Sequence, residues 1–116
     1  MTTLKSATAD SVTLETWQPE GVTVHSGNPA GRGFTLHEDS TDGSRGCGFF
    51  ECDPAKTTYE LLENEMIYVL EGEARIELDD GSAIDLKAGD AAFLPKGHVS
   101  TWTFHTRFRE FWVLAD

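Results

Sequence analysis

Apolar and polar side chains alternate along most of this chain with the two-residue period of strands that bury one face. ARIELDDGSAIDL is the clearest case. Ala74, Ile76 and Leu78 alternate with Arg75, Glu77 and Asp79, Asp80-Gly81 supplies a turn, and Ala83, Ile84 and Leu86 carry the return strand. SVTLETW alternates near the start, with Val12 and Leu14 on one face. GFTLHE is a second short run, and CGFFEC is a third, stopped by Asp53-Pro54. AAFL, VSTWTFH and RFREFWVL add three more. HSGNPAGRG, EDSTDGSRG, KAGD and PKG separate these runs and have the Gly, Pro, Asn and Asp content of loops and turns.

YELLENEMIYVL fits two patterns. Its apolar spacing suits an amphipathic helix, but IYVL is rich in β-formers, Gly72 follows closely, and every neighbouring segment reads as a strand. The segment is therefore expected to be two strands with a break near Glu63-Asn64. About ten short strands joined by Gly and Pro turns predict an all-β domain, a sandwich or a barrel. Residues 1–11 are polar and expected to be loosely held, and residues 12–116 to form the barrel domain.

Composition narrows the partners. The 116 residues suffice for one core, and Asp and Glu number 20 against 9 Lys and Arg, a net charge of -11. That balance opposes nucleic acid and anionic membrane surfaces, and it suits a neutral or cationic small ligand or a metal. No apolar run approaches the roughly 20 residues that span a bilayer. MTTLKSATADSV has no apolar core of a secretory signal, and two cysteines not expected to pair make a reduced, cytoplasmic setting the simplest expectation. Cys47 and Cys52 lie on opposite faces of one strand and are not expected to pair.

Two stretches carry a family resemblance. ENEMIYVLEGE, with Glu65 followed by six residues and Gly72, resembles the end of the first cupin motif. GDAAFLPKG, from Gly89 through Pro95 to Gly97, resembles the start of the second, and residues 73–88 make the hairpin between them. The resemblance implies a single-domain cupin, a double-stranded β-helix or jelly-roll barrel of the RmlC-like type, with an expectation of homodimers. GFFECDPAKTTYELLENEMIYVLEGE and PKGHVSTW look like the branch similar to ethanolamine-utilisation protein Q, whose members are often labelled ureidoglycine-aminohydrolase-like. That branch usually carries Trp-Glu-Cys-x-Pro-Gly where Phe50 to Ala55 stand here. Thr106 and Glu110 replace its late Glu and Lys.

The cupin pattern implies two histidines before its glutamate and a third after the second motif. Those slots fall on Thr58, Glu60 and Ser100, so Glu65 alone matches. Thr and Ser hydroxyls are poor transition-metal ligands. Alternation sends Glu65, Ile67 and Val69 inward, groups Thr58 with Glu60, and groups His98 with Ser100 and Trp102. Tyr59 is expected on the outer face.

Three uses of this cluster stay open. Glu60, Glu65 and His98 could hold Mn²⁺, Fe²⁺ or Zn²⁺. Glu60 and Glu65 could act as a catalytic acid and base, one of them with a raised pKa, in an isomerase, epimerase or hydrolase-like reaction. Or the barrel only binds a small molecule, with Thr58, His98, Ser100, Trp102 and Cys52 around it and no cofactor. Core filler is the plainer reading of Cys52, and solvent exposure that of His25, His37 and His105.

Overall fold

The computed structural model describes residues 3–115. These residues form eleven strands in two antiparallel sheets and no helix. β1 (Glu15–Thr16), β3 (Arg32–Glu38), β4 (Gly46–Cys52), β11 (Phe108–Ala115), β6 (Asn64–Glu71) and β9 (Ala91–Leu94) make the first sheet, in the order β1-β3-β4-β11-β6-β9. β2 (Thr23–Gly27), β5 (Ala55–Glu60), β10 (Val99–Phe104), β7 (Glu73–Leu78) and β8 (Ala83–Lys87) make the second, in the order β2-β5-β10-β7-β8. The all-β jelly-roll expectation holds.

The alternation seen in the sequence becomes the inner and outer faces. Ile67 and Val69 of β6, Trp102 and Phe104 of β10, Phe108 and Trp112 of β11, and Ala74 and Ile76 of β7 meet in one buried core. Burying such side chains stabilises the fold by about 1.5–3 kcal/mol each before entropy is counted. The Asp80-Gly81 hairpin forms as read, pairing Ile76 with Ile84 and Ala74 with Leu86. Gly72 alone separates β6 from β7 and so carries the chain from one sheet to the other. It sits at φ 90°, in the left-handed region that suits glycine.

The ambiguous segment is two strands, with β5 ending at Glu60 and β6 starting at Asn64. SVTLETW is mostly not strand. Only Glu15 and Thr16 pair, with β3 at the sheet edge, although Val12 and Leu14 still turn partly inward. The first loop is also shorter than expected, because β2 and β3 extend into HSGNPAGRG from both sides. Upstream, the Arg109 guanidinium donates to the Ala9 carbonyl and ties the early segment to β11.

β5 corrects the expected strand phase. Its inward residues are Ala55, Thr57 and Tyr59, not Thr58 and Glu60. The cause is cross-strand register: Ser100 faces Tyr59 and Trp102 faces Thr57, and directly opposed residues share a face. Residues 61–63 interrupt the strand without changing its phase, and Leu61 is buried like Thr57 before it and Glu65 after it. The Leu61 N–H donates to the His98 carbonyl, and the Leu61 carbonyl accepts from Gly97.

Candidate functional site

A cavity of about 410 Å³ opens between the sheets. Tyr59 from β5, Glu65 from β6, Trp102 and Phe104 from β10, and Glu110 and Trp112 from β11 line its interior. Its mouth is built from the stretch after β1, the β3–β4 loop and the link between β5 and β6. The volume lies within the range of pockets that enclose small organic ligands.

The centre of the cavity is acidic and aromatic. The Tyr59 hydroxyl donates to Glu65 Oε1 at 2.6 Å, a short bond typical of a charged acceptor. Glu65 is 7% exposed and Glu110 3%. Burial pushes the Glu65 carboxyl up to about 7, the Tyr59 hydrogen bond holds it back, and Glu63 adds to the rise. Burial raises Glu110 well above the usual carboxylate range, and the Glu65 charge raises it further. The same burial, with Glu65 beside it, holds the Tyr59 phenol well above its ordinary value. The two carboxyls therefore titrate as a linked pair. Glu110 Oε1 and Trp112 Nε1 are buried and have no hydrogen-bond partner among the described residues.

The sequence-derived candidates divide. Glu65 and Trp102 line the cavity, and Glu60 lies exposed at its mouth. Ser100 is fully buried in the wall behind. Its hydroxyl accepts from Trp102 Nε1 and donates to the Tyr59 carbonyl, both at 2.9 Å, so it is a strut. Cys52 is fully buried in the core, where burial pushes its thiol far above the reactive range. Thr58 faces outward and hydrogen-bonds His25 at 2.9 Å. His98 lies outside the cavity, held by Asp79 at 2.7 Å. That contact draws the Asp79 carboxyl below its usual value.

Glu60, Glu65 and His98 are thus not brought together, and the slot residues Thr58, Glu60 and Ser100 do not converge on Glu65. Among the described residues, no group of three or more His, Cys, Asp or Glu side chains could hold a metal ion. The donor set does not fit the family's metal. Tyr59, Phe104, Glu110 and Trp112 line the interior although the sequence reading did not place them in the site. Alternation in RFREFWVL gave a signal for Glu110, since it puts an acid between Phe108 and Trp112 on one buried face.

This geometry is that of a cupin: two antiparallel sheets enclosing a cavity, with a glutamate on the motif strand pointing in. The EutQ-like cupin domain matches residues 39–111, and the chain belongs to that family. It is similar to the crystal structure of an ethanolamine utilization protein Q from Salmonella typhimurium LT2, at 30% identity and a TM-score of 0.63 over 72% of this chain and 68% of that one. The Clostridium difficile EutQ protein matches at 26% identity and a TM-score of 0.61, over 72% of this chain and 66% of that one. A DUF861 family protein from Thermotoga maritima matches at 25% identity and a TM-score of 0.56, over 58% of this chain and 76% of that one. The matched region is about two thirds of the two EutQ proteins. A comparison with curated proteins found no match.

Proposed function

We propose that this cupin binds a small molecule in the barrel interior, oriented by Tyr59, Glu65 and Glu110. One observation carries the reading: Glu110 Oε1 and Trp112 Nε1 are buried at the cavity without partners. An unmet buried acceptor and donor cost about 1–3 kcal/mol each, and a ligand that pairs with both recovers that cost. The test is a thermal-shift screen of small polar compounds on the parent and on Trp112→Phe, which keeps an aromatic ring, smaller than the indole, and removes the N–H. Compounds that stabilise the parent should lose most of their effect on the variant. A screen in which no compound shifts the parent would sink the reading.

A second reading makes the site catalytic. Glu65, raised to about 7, is poised to give or take a proton near neutral pH, as a general acid or base must. Glu65 and Glu110 then take the paired role expected of Glu60 and Glu65.

The same proposal includes a homodimer and a cytoplasmic setting. Both cysteines are free, which suits a reducing compartment. Among the described residues, no helix is long and apolar enough to cross a membrane. The outer face of the first sheet carries two apolar rows, Phe34-Phe49-Phe111-Tyr68 and Val113-Met66-Phe93, traced by strand register. Met66, Tyr68 and Phe93 in these rows are exposed. Light scattering should give the mass of a dimer for the parent and of a monomer for Tyr68→Lys. A monomeric parent would remove the dimer.

A further inference from the structure

We propose that the ligand is an organic ammonium ion with an apolar body, a proposal that rests on the binding reading above. Charge is the first argument. The mouth carries Glu20, Glu38, Asp42, Glu60 and Glu63, and the interior adds Glu65 and Glu110. Arg45 and His37 are the basic side chains of this lining. His37 is already engaged, with Asp39 at 3.1 Å and Lys5 at 3.0 Å. An entering carboxylate or phosphate would meet this acidic surplus in a confined, poorly solvated space. An ammonium ion is drawn to it.

Pairing is the second argument. The buried Glu110 Oε1 lacks a hydrogen-bond donor, and an ammonium N–H supplies one as a charge-assisted bond. Glu110 is buried with no basic side chain of the described cavity lining hydrogen-bonded to its Oε1, so a bound cation would favour the charged form that burial disfavours. Trp112 Nε1 asks for an acceptor on the same molecule, such as a hydroxyl or carbonyl.

The walls are the third argument. Trp17 stacks on Trp112 at 6.1 Å, and Tyr59, Trp102 and Phe104 form a stacked series with 6.0 and 5.6 Å between ring centroids. Such faces attract cations through their quadrupoles and also bury hydrocarbon. Acids at the mouth, an unpaired acid inside and aromatic walls select one ligand chemistry together, where each alone would not.

Calorimetric titration at about pH 8, above the Glu65 value of about 7, tests this with phenethylammonium, phenethyl alcohol and phenylacetate. The ammonium should bind at least about ten-fold tighter than the alcohol, with phenylacetate weakest. Raising the salt should erode that preference. The isosteric Glu65→Gln/Glu110→Gln double variant, its fold checked by circular dichroism, should bind ammonium and alcohol alike. Binding of the alcohol or the acid as tightly as the ammonium overturns the cation assignment and leaves the pocket reading standing. Binding of none of the three overturns the assignment too, and the pocket is then judged by the compound screen alone.

Discussion

At the scale of single residues, the pocket depends on which hydroxyl touches which acid. Ser100 occupies a family ligand slot, yet its hydroxyl is used up between Trp102 and the Tyr59 backbone. Tyr59 was expected to face outward, yet its phenol is what meets Glu65. A hydrogen bond to a carboxylate favours the charged form, so this contact holds Glu65 down while burial lifts it. Tyr59→Phe removes the donor and keeps the ring in its stack with Trp102. The Glu65 titration should then move upward from about 7, followed by carbon NMR of the side-chain carboxyls. A midpoint that stayed put or fell would mean that the phenol does not act on the carboxylate.

At the scale of elements, the sheet crossing at Gly72 is the most constrained point. A Cβ there would run into the Arg107 carbonyl oxygen, a backbone atom that cannot swing away. The left-handed φ adds strain of about 1–2 kcal/mol for any other residue. Gly81 has nearly the same φ, 88°, but open space around it. Gly72→Ala should therefore cost clearly more stability in urea unfolding than Gly81→Ala, which pays the φ strain alone. Equal losses would mean that the crossing can shift to admit a methyl group. The contrast also shows what the sequence makes legible. Period-two patterning found nearly every strand, and Gly72 after IYVL marked the end of β6. Glu65 pointed inward as alternation requires. The phase of β5 was misread although it runs unbroken into β6: Thr57 and Tyr59 keep the odd-numbered phase of Glu65, and it was the family's histidine slots, counted onto Thr58 and Glu60, that set those two together and turned Tyr59 outward. Thr58, Glu60 and Tyr59 were misoriented for that reason. His98 precedes β10, so the face of Ser100 and Trp102 did not extend to it. Glu110 was visible on the face of Phe108 and Trp112, but the coupling of its charge to Glu65 needs the neighbouring strand in place.

For the whole molecule, the buried acids set how stability responds to pH. Glu65 and Glu110 have raised values in the folded state, so the folded protein holds protons that the unfolded chain has already released. Stability must then fall as pH rises above the unfolded value near 4.5. For Glu65 the window runs from there to about 7, and Glu110 extends it upward. At about 1.4 kcal/mol per pH unit and group, the loss is on the order of a few kcal/mol, a large share of the stability of a small domain. Asp42, Asp79, Asp80 and Glu71 work in the opposite sense. Hydrogen bonds lower them, so their stabilisation is lost as pH falls through their folded values. They are exposed or nearly so, and their effect is small and screened by salt. The optimum should therefore lie in mildly acid solution, below neutrality. The net charge of -11 pushes the same way, since repulsion grows as carboxyls ionise. Urea unfolding across this range, on the parent and on Glu65→Gln/Glu110→Gln, separates the two sources. The parent should weaken steadily from about pH 5 upward, and the variant, which keeps every other charge, should be flatter and more stable than the parent above neutrality. Parallel curves would assign the slope to net charge and leave the two acids without a proton of their own. A flatter variant would show instead that the barrel keeps its acids at a cost in stability, as binding sites do when their groups are arranged for a ligand and not for the fold.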